Sequence, residues 1–367
     1  MIKTLIIFAI TILLAHWSNK KGLRWYVGKR RFIDLALVVM IIILSFFCGL
    51  RTAYNDTSVY IAGFQNAVTP QEYLQQNPEL TDNPLFYLFQ SYFRHHIADN
   101  YHLFFVVIAF FTITCFVWFI KKYSTDFVFS MILFCTLLYL FPFAAMKQAL
   151  AMAVLTIAVN CLLKKRYIAY YCLVFVAMLI HTYAIVFVVL PVFVAKPWTT
   201  VTYIAVGMIL FVLVTFETSI TKLLEYAEDL GKEVSAEQLL SEAGMNMLRV
   251  SVYAVPVVVS FLFQKWIVAS ADRPMSLMIN MSIIGFLIVC MGAINAANMF
   301  GRSATYFIFG TIVALPWMIR KIFEPVSARW LKIVAVICYF SFFMYDSRYF
   351  FADYRAISFA DFLRGLF

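Results

Sequence analysis

The sequence predicts an all-α fold, a polytopic bundle of transmembrane helices. Three observations lead there: apolar runs about as long as a bilayer is thick, a scarcity of charge, and basic residues gathered in short loops between the runs. Of the 367 residues, 64% are hydrophobic and 13% charged, whereas a soluble domain carries roughly 25% charged residues. The 39 Phe, 21 Tyr and 7 Trp suit a lipid-facing surface with aromatic ends at the headgroup level. A net charge of +10 would suggest nucleic acid in a soluble protein. Here topology control accounts for it, and no nucleic-acid partner is expected.

A crossing needs about 20 apolar residues. Runs of that kind place helices near 2–17, 32–50, 101–120, 126–143, 146–163, 199–216, 250–268, 276–294, 304–320 and 329–346. The first is followed by His16-Trp17-Ser18-Asn19-Lys20 rather than a small-residue cleavage site, so it reads as a helix and not as a signal peptide. Segment 167–195 is either one tilted helix or two short ones meeting at His181-Thr182. Charge favours two. With the loop Lys20, Lys21, Arg24, Lys29, Arg30, Arg31 cytoplasmic, Lys121-Lys122 and Lys164-Lys165-Arg166 also fall inside. A split then brings Lys196, Lys265, Arg273, Arg320, Lys321, Arg329 and Lys332 inside as well. The expectation is about twelve crossings, some short or broken and buried in protein, with both ends outside.

The chain reads as a single integral membrane domain over 1–367, with two longer extracytoplasmic loops near 51–100 and 217–249. In the first, helices are expected from Pro70 and over Pro84–Phe93; the second reads as an amphipathic lid over acids between Glu217 and Glu242. Cys48, Cys115, Cys135, Cys161, Cys172, Cys290 and Cys338 stand singly in apolar runs without metal-ligand spacing, and pack as small hydrophobes.

An ionisable residue at the centre of a membrane helix costs roughly 2.5–3.5 kcal/mol on insertion scales, so those that occur need a reason. Arg51, Asp56, Lys147 with Gln148, His181, and Arg302 with Tyr306 all fall at the outer face of this topology. Singly, Arg51 and Arg302 read as snorkelling anchors, Asp56 as a turn former, Lys147 as a helix start and His181 as a satisfied core histidine. Together they describe one polar site. Guanidinium and ammonium groups suit an anionic lipid headgroup and can neutralise a pyrophosphate leaving group. His181 or Asp56 is the candidate general base. There is no Walker motif and no HExxH, which argues against an ATPase or a zinc protease.

These residues resemble the EpsG-like, Wzy-type polysaccharide polymerases. Gly49-Leu50-Arg51-Thr52-Ala53-Tyr54-Asn55-Asp56-Thr57-Ser58-Val59-Tyr60-Ile61-Ala62-Gly63-Phe64 is similar to that family's opening motif. Asn83-Pro84-Leu85-Phe86 resembles its acidic-Pro element, and Met146-Lys147-Gln148-Ala149-Leu150-Ala151 its Arg-Gln-x-x-Ala helix start. Ile180-His181-Thr182-Tyr183-Ala184 and Arg302 with Tyr306 resemble its single histidine and its late Arg-x-x-x-Tyr. Two positions depart: Lys147 stands where arginine is commoner, and Asn83 where an acid is, with Asp82 beside it.

The resemblance implies polymerisation of undecaprenyl-pyrophosphate-linked oligosaccharide repeats into exopolysaccharide, capsule or O-antigen. The reaction would occur at the outer face of the bacterial cytoplasmic membrane, without metal or nucleotide cofactor. His181 and Asp56 would be catalytic, Arg51, Lys147 and Arg302 would bind pyrophosphate, and Gln148, Tyr60 and Tyr306 would bind substrate. Membrane lipid, a chain-length regulator and a flippase are the partners to expect. The rival readings are a flippase or transporter of the same lipid-linked sugars, and an outer-face glycan ligase or acyltransferase. No internal repeat of the kind alternating access draws on is present, and the polar set lies at one face, which favours the enzyme.

Overall fold

In the computed structural model, residues 1–20, 24–26, 32–80, 82–215, 244–294 and 297–366 are described. The proposed lid from 217 lies almost wholly outside them, as do Lys21 and Lys29 to Arg31. The fold is all-α. Among the described residues six helices are long and apolar enough to cross a membrane, eight if each of two bent pairs is one span. The expected count of about twelve is not reached by that measure.

The chain divides into two compact units, Met1–Val188 with Phe343–Phe367, and Val189–Phe342. The first is built from α1 (Ile2–Asn19), α2 (Leu35–Gly49), α3 (Thr57–Gln65), α4 (Pro70–Gln76), α5 (Pro84–His96), α6 (Tyr101–Tyr123), α7 (Phe127–Leu137), α8 (Phe141–Ala144), α9 (Met146–Leu163) and α10 (Tyr167–Ile180). Short polar residues set several starts. Asp34, Asn100 and Asp126 cap α2, α6 and α7 by accepting from the backbone N–H groups of Leu37, Leu103 and Phe129. Such a cap contributes about 1 kcal/mol and satisfies a donor that lipid could not.

Helices α2, α6 and α9 form the centre, with α1 against α2 and α7, and α10 against α9. Gly49 permits the close approach of α2 to α6, since a Cβ there would lie 2.6 Å from the Val106 Cα. The two ends of the unit differ in chemistry. At one, Lys121 donates to Ser18, Ser18 donates to Asp34, and Lys122 and Tyr123 both donate to Asn160. Lys121 and Lys122, both expected inside, therefore share one end of this unit with the end of α1 and the start of α2. The opposite end holds the end of α2 and the starts of α6 and α9.

Segment 167–195 does divide at His181. Helix α10 ends at Ile180, and a 3-10 helix follows over Thr182–Val194. The Tyr170 hydroxyl, early in α10, donates to the Phe187 carbonyl beyond the break, so the chain doubles back there. A 3-10 run of 13 residues is long, since more than three or four is uncommon.

In the second unit, α11 (Thr200–Val214) is followed by α12 (Met247–Leu262), α13 (Gln264–Ser270), α14 (Arg273–Ile294), α15 (Ala297–Thr305), α16 (Ile308–Ile322) and α17 (Pro325–Asp346), whose last turn enters the first unit. The expected helices 250–268 and 304–320 are each broken, α12 to α13 by 81° and α15 to α16 by 57°. Buried Asn280 of α14 donates to the Phe193 and Ala195 carbonyls and accepts from Thr202, satisfying the end of the 3-10 helix.

The C-terminal segment, with α18 (Arg348–Asp353), strand β4 (Arg355–Ala356) and α19 (Phe359–Arg364), returns to the first unit. There β4 pairs antiparallel with β3 (Arg51–Ala53). A second two-stranded pair joins β1 (Arg24–Tyr26) to β2 (Phe32–Asp34).

Candidate functional site

The site in the first unit starts from Arg51. The guanidinium follows α2 and is 1% exposed. Its Nη1 donates to the Cys48 carbonyl at 2.9 Å and its Nη2 lies 3.4 Å from the Met146 sulfur. The group sits 4.5 Å from the centroid of the Phe105 ring. Nε is buried without a hydrogen-bond partner among the described residues. Among the described residues the groups that interact with its charge are Cys48, Tyr60, Tyr354 and His102, none of them a carboxylate. Beside it lies a small apolar cavity shared with Ile108, Ala109, Thr112 and Ala149.

The backbone around Arg51 is held from outside its own motif. Besides the β3–β4 pairing, Ile357 N–H donates to the Leu50 carbonyl and the Tyr354 hydroxyl to the Phe47 carbonyl. Phe362 packs with Leu50 and Val106. The turn after β3 takes positive φ at Tyr54 and Asn55, a conformation rare for residues with a side chain. Thr57 closes it by donating from both N–H and hydroxyl to the Tyr54 carbonyl. Asp56 then begins α3, which carries Tyr60 one turn on.

Met146 opens α9, so the residue touching Arg51 is followed directly by Lys147. The Lys147 ammonium is half-buried, donates to the Tyr87 hydroxyl at 2.9 Å and stands 4.7 Å from that ring's centroid. The start of α9 at Lys147 also lies close enough to Tyr60 to act on its hydroxyl. Burial pushes the Tyr60 hydroxyl above its ordinary value; Lys147 and Arg51 oppose that, and Asp56 adds to it. Tyr60 is thus coupled to all three charges. Gln148, next on α9, is buried.

His181 caps α10 in an extended conformation and is half-buried, its ring 5.4 Å from that of Tyr183. The next residue ties it into the same end: the Thr182 N–H donates to Asn83 Oδ1 at 3.2 Å. Asn83 is buried, takes the left-handed conformation at φ 61°, and donates from Nδ2 to Asp82. Asparagine suits both tasks, because its side chain donates and accepts and it tolerates positive φ.

Arg302 and Tyr306 lie in the second unit. Arg302 is half-buried near the end of α15, and its Nε donates to Asn298 Oδ1 one turn earlier at 3.1 Å. Tyr306 is buried at the break between α15 and α16.

Several participants escaped the sequence reading. His102, at the second position of α6, is 9% exposed and close enough to Arg51 to feel its charge. Its Nδ1 has no partner among the described residues. The topology already set the start of α6 at the outer end, which was the available signal. Tyr87 lies in the amphipathic helix expected over Pro84–Phe93, but its pairing with Lys147 is a long-range contact. Nothing in the local sequence marked Tyr354 or Ile357.

No curated protein and no solved structure gives a match to the chain. The model of the EpsG family matches residues 34–358, a stretch that includes every residue of this cluster and Arg302 with Tyr306. The chain is a multi-pass membrane protein and belongs to the EpsG family, a family of Wzy-like polymerases.

Proposed function

We propose that the protein polymerises undecaprenyl-pyrophosphate-linked oligosaccharide repeats at the outer face of the bacterial cytoplasmic membrane. The observation that carries this reading is Arg51, a buried guanidinium with no carboxylate among the described residues that act on its charge. An uncompensated buried cation is costly to a fold, and an anionic substrate supplies the compensation. Lys147 and the positive N-terminus of α9 extend the same field toward the surface.

In the proposed reaction a hydroxyl of the incoming lipid-linked unit attacks the anomeric carbon of the growing chain. The new glycosidic C–O bond forms as the C–O bond to pyrophosphate breaks. The bonding pair leaves with the undecaprenyl pyrophosphate, and the hydroxyl proton passes to His181 or Asp56. Arg51 acts on the leaving group from its buried position, Lys147 acts at the half-buried level, and Arg302 is the third cation proposed for the pyrophosphate. Charge stabilisation of this kind commonly contributes about 100- to 1,000-fold in rate. Tyr60, Gln148 and Tyr306 orient the substrate. Capsule, exopolysaccharide and O-antigen are equally compatible products.

The test is transfer in proteoliposomes with purified lipid-linked repeat and no ATP. A ladder of products spaced by one repeat, lost in Arg51→Ala and weakened in Arg302→Ala, is expected. Labelled lipid crossing the bilayer with no ladder would replace the polymerase with a flippase. For the base, one of His181→Ala and Asp56→Asn should slow transfer roughly 100-fold or more. Wild-type rates in both correctly inserted variants would remove both candidates.

A further inference from the structure

We propose that α4 and the start of α5 form a saccharide shelf, on which the sugar next to the pyrophosphate lies against Tyr73 with Tyr87 as its fixed backing. This inference rests on the lipid-linked substrate of the proposed function and adds a subsite and an orientation to it.

From buried Arg51 a line of contacts runs outward along the chain. Arg51 touches Met146, the next residue Lys147 donates to Tyr87, and Tyr73 packs beside Tyr87; Lys147, Tyr87 and Tyr73 are all half-buried. Tyr87 is held at its hydroxyl by the Lys147 ammonium, 2.9 Å from the oxygen and 4.7 Å from the ring centroid. Tyr73 stands beside it, ring centroids 6.3 Å apart and planes inclined by 38°. Tyr73 is brought there by a firmly started helix. Pro70 occupies the first turn of α4, and Thr69 and Glu72 exchange hydrogen bonds in a capping box. At the rim stands exposed Asp82, close enough to act on the Tyr73 hydroxyl.

The chemistry of this surface selects among the parts of a lipid-linked sugar. A phosphate would be repelled by Asp82. A polyprenyl chain has no use for two tyrosine hydroxyls and a carboxylate. A pyranose ring presents axial C–H groups to an aromatic face and hydroxyls around its edge, and it uses both features. Aromatic rings with a polar handle suit a surface that is apolar on one side and wet on the other. A carboxylate beside them accepts two sugar hydroxyls. With Lys147 at the inner edge, the phosphate end of the substrate points to α9 and the sugar end to α4.

The test is binding to the full-length protein in nanodiscs, with two probes: the lipid-linked repeat purified from the native host and sugar-free undecaprenyl pyrophosphate. Wild type should prefer the repeat-bearing probe. Tyr73→Ala should lower that preference about fivefold, the scale of one aromatic contact, and leave the sugar-free probe bound as before. Tyr73→Phe, which keeps the ring, should restore most of it. Equal affinity of wild type for both probes, or an unchanged preference in Tyr73→Ala, overturns the shelf. Tyr73→Ala weakening both probes alike overturns it too, because that is the mark of a structural role. A wild type that forms a product ladder while Tyr73→Ala matches it in KM fails the shelf alone. A wild type that prefers the repeat-bearing probe but forms no ladder fails the polymerase reading alone.

Discussion

Arg51 and Arg302 are the same side chain in two different electrostatic situations. Arg51 is 1% exposed, bonded to a carbonyl and a thioether sulfur, with one guanidinium nitrogen unpartnered among the described residues. Arg302 is half-buried and bonded to Asn298 of its own helix. Arg302 keeps part of its surface open and pairs with a neutral amide one turn away. Arg51 has given up its hydration for one carbonyl and one thioether sulfur. The difference teaches which arginine the fold tolerates and which it has to be organised around.

The sharpest way to break that comparison is Arg51→Met, which removes the charge and keeps much of the volume. Transfer should fall roughly 100- to 1,000-fold, while the thermal midpoint stays level or rises. An apolar residue in place of a buried charge is often neutral or stabilising. A sharply lowered midpoint would make Arg51 a structural tie instead.

Arg302→Ala should cost less, about tenfold in transfer, with an unchanged midpoint, because a half-exposed charge is already partly solvated. A loss equal to that of Arg51→Met would show that the substrate buries Arg302 when it binds.

The smallest expected effect concerns the strap that holds β3. Tyr354→Phe removes the hydroxyl that donates to the Phe47 carbonyl at 2.8 Å. The cost should be about 1 kcal/mol of stability, read as a small drop in midpoint with KM unchanged. A raised KM in this variant would mean that the C-terminal segment tunes the Arg51 position and does not merely brace it.

How much of this was legible beforehand varies with the kind of force. The helices expected at 101–120, 126–143 and 146–163 appear at Tyr101–Tyr123, Phe127–Ala144 and Met146–Leu163. The break at His181 followed from charge balance and stands in the structure. The breaks within 250–268 and 304–320 did not follow, because hydropathy measures how apolar a run is and not whether its axis is straight. The clustering of Arg51, Asp56 and Lys147 was suggested by their shared end of the topology, and Tyr60 by the family resemblance. The partners that give them their character were not: Tyr87, Asn83 and Tyr354 are brought in by packing between distant segments.

Local residue content sets the solvent of this protein, the position of most of its helices and the expected sidedness of its charges. Those properties depend on sums over local runs: burial in lipid per apolar residue, and the cost of moving Lys and Arg across a bilayer. The tertiary structure decided which of those charges lost its water. That depends on which side chains from other helices close over it, as Phe105 and Met146 close over Arg51, and no local sum contains that information.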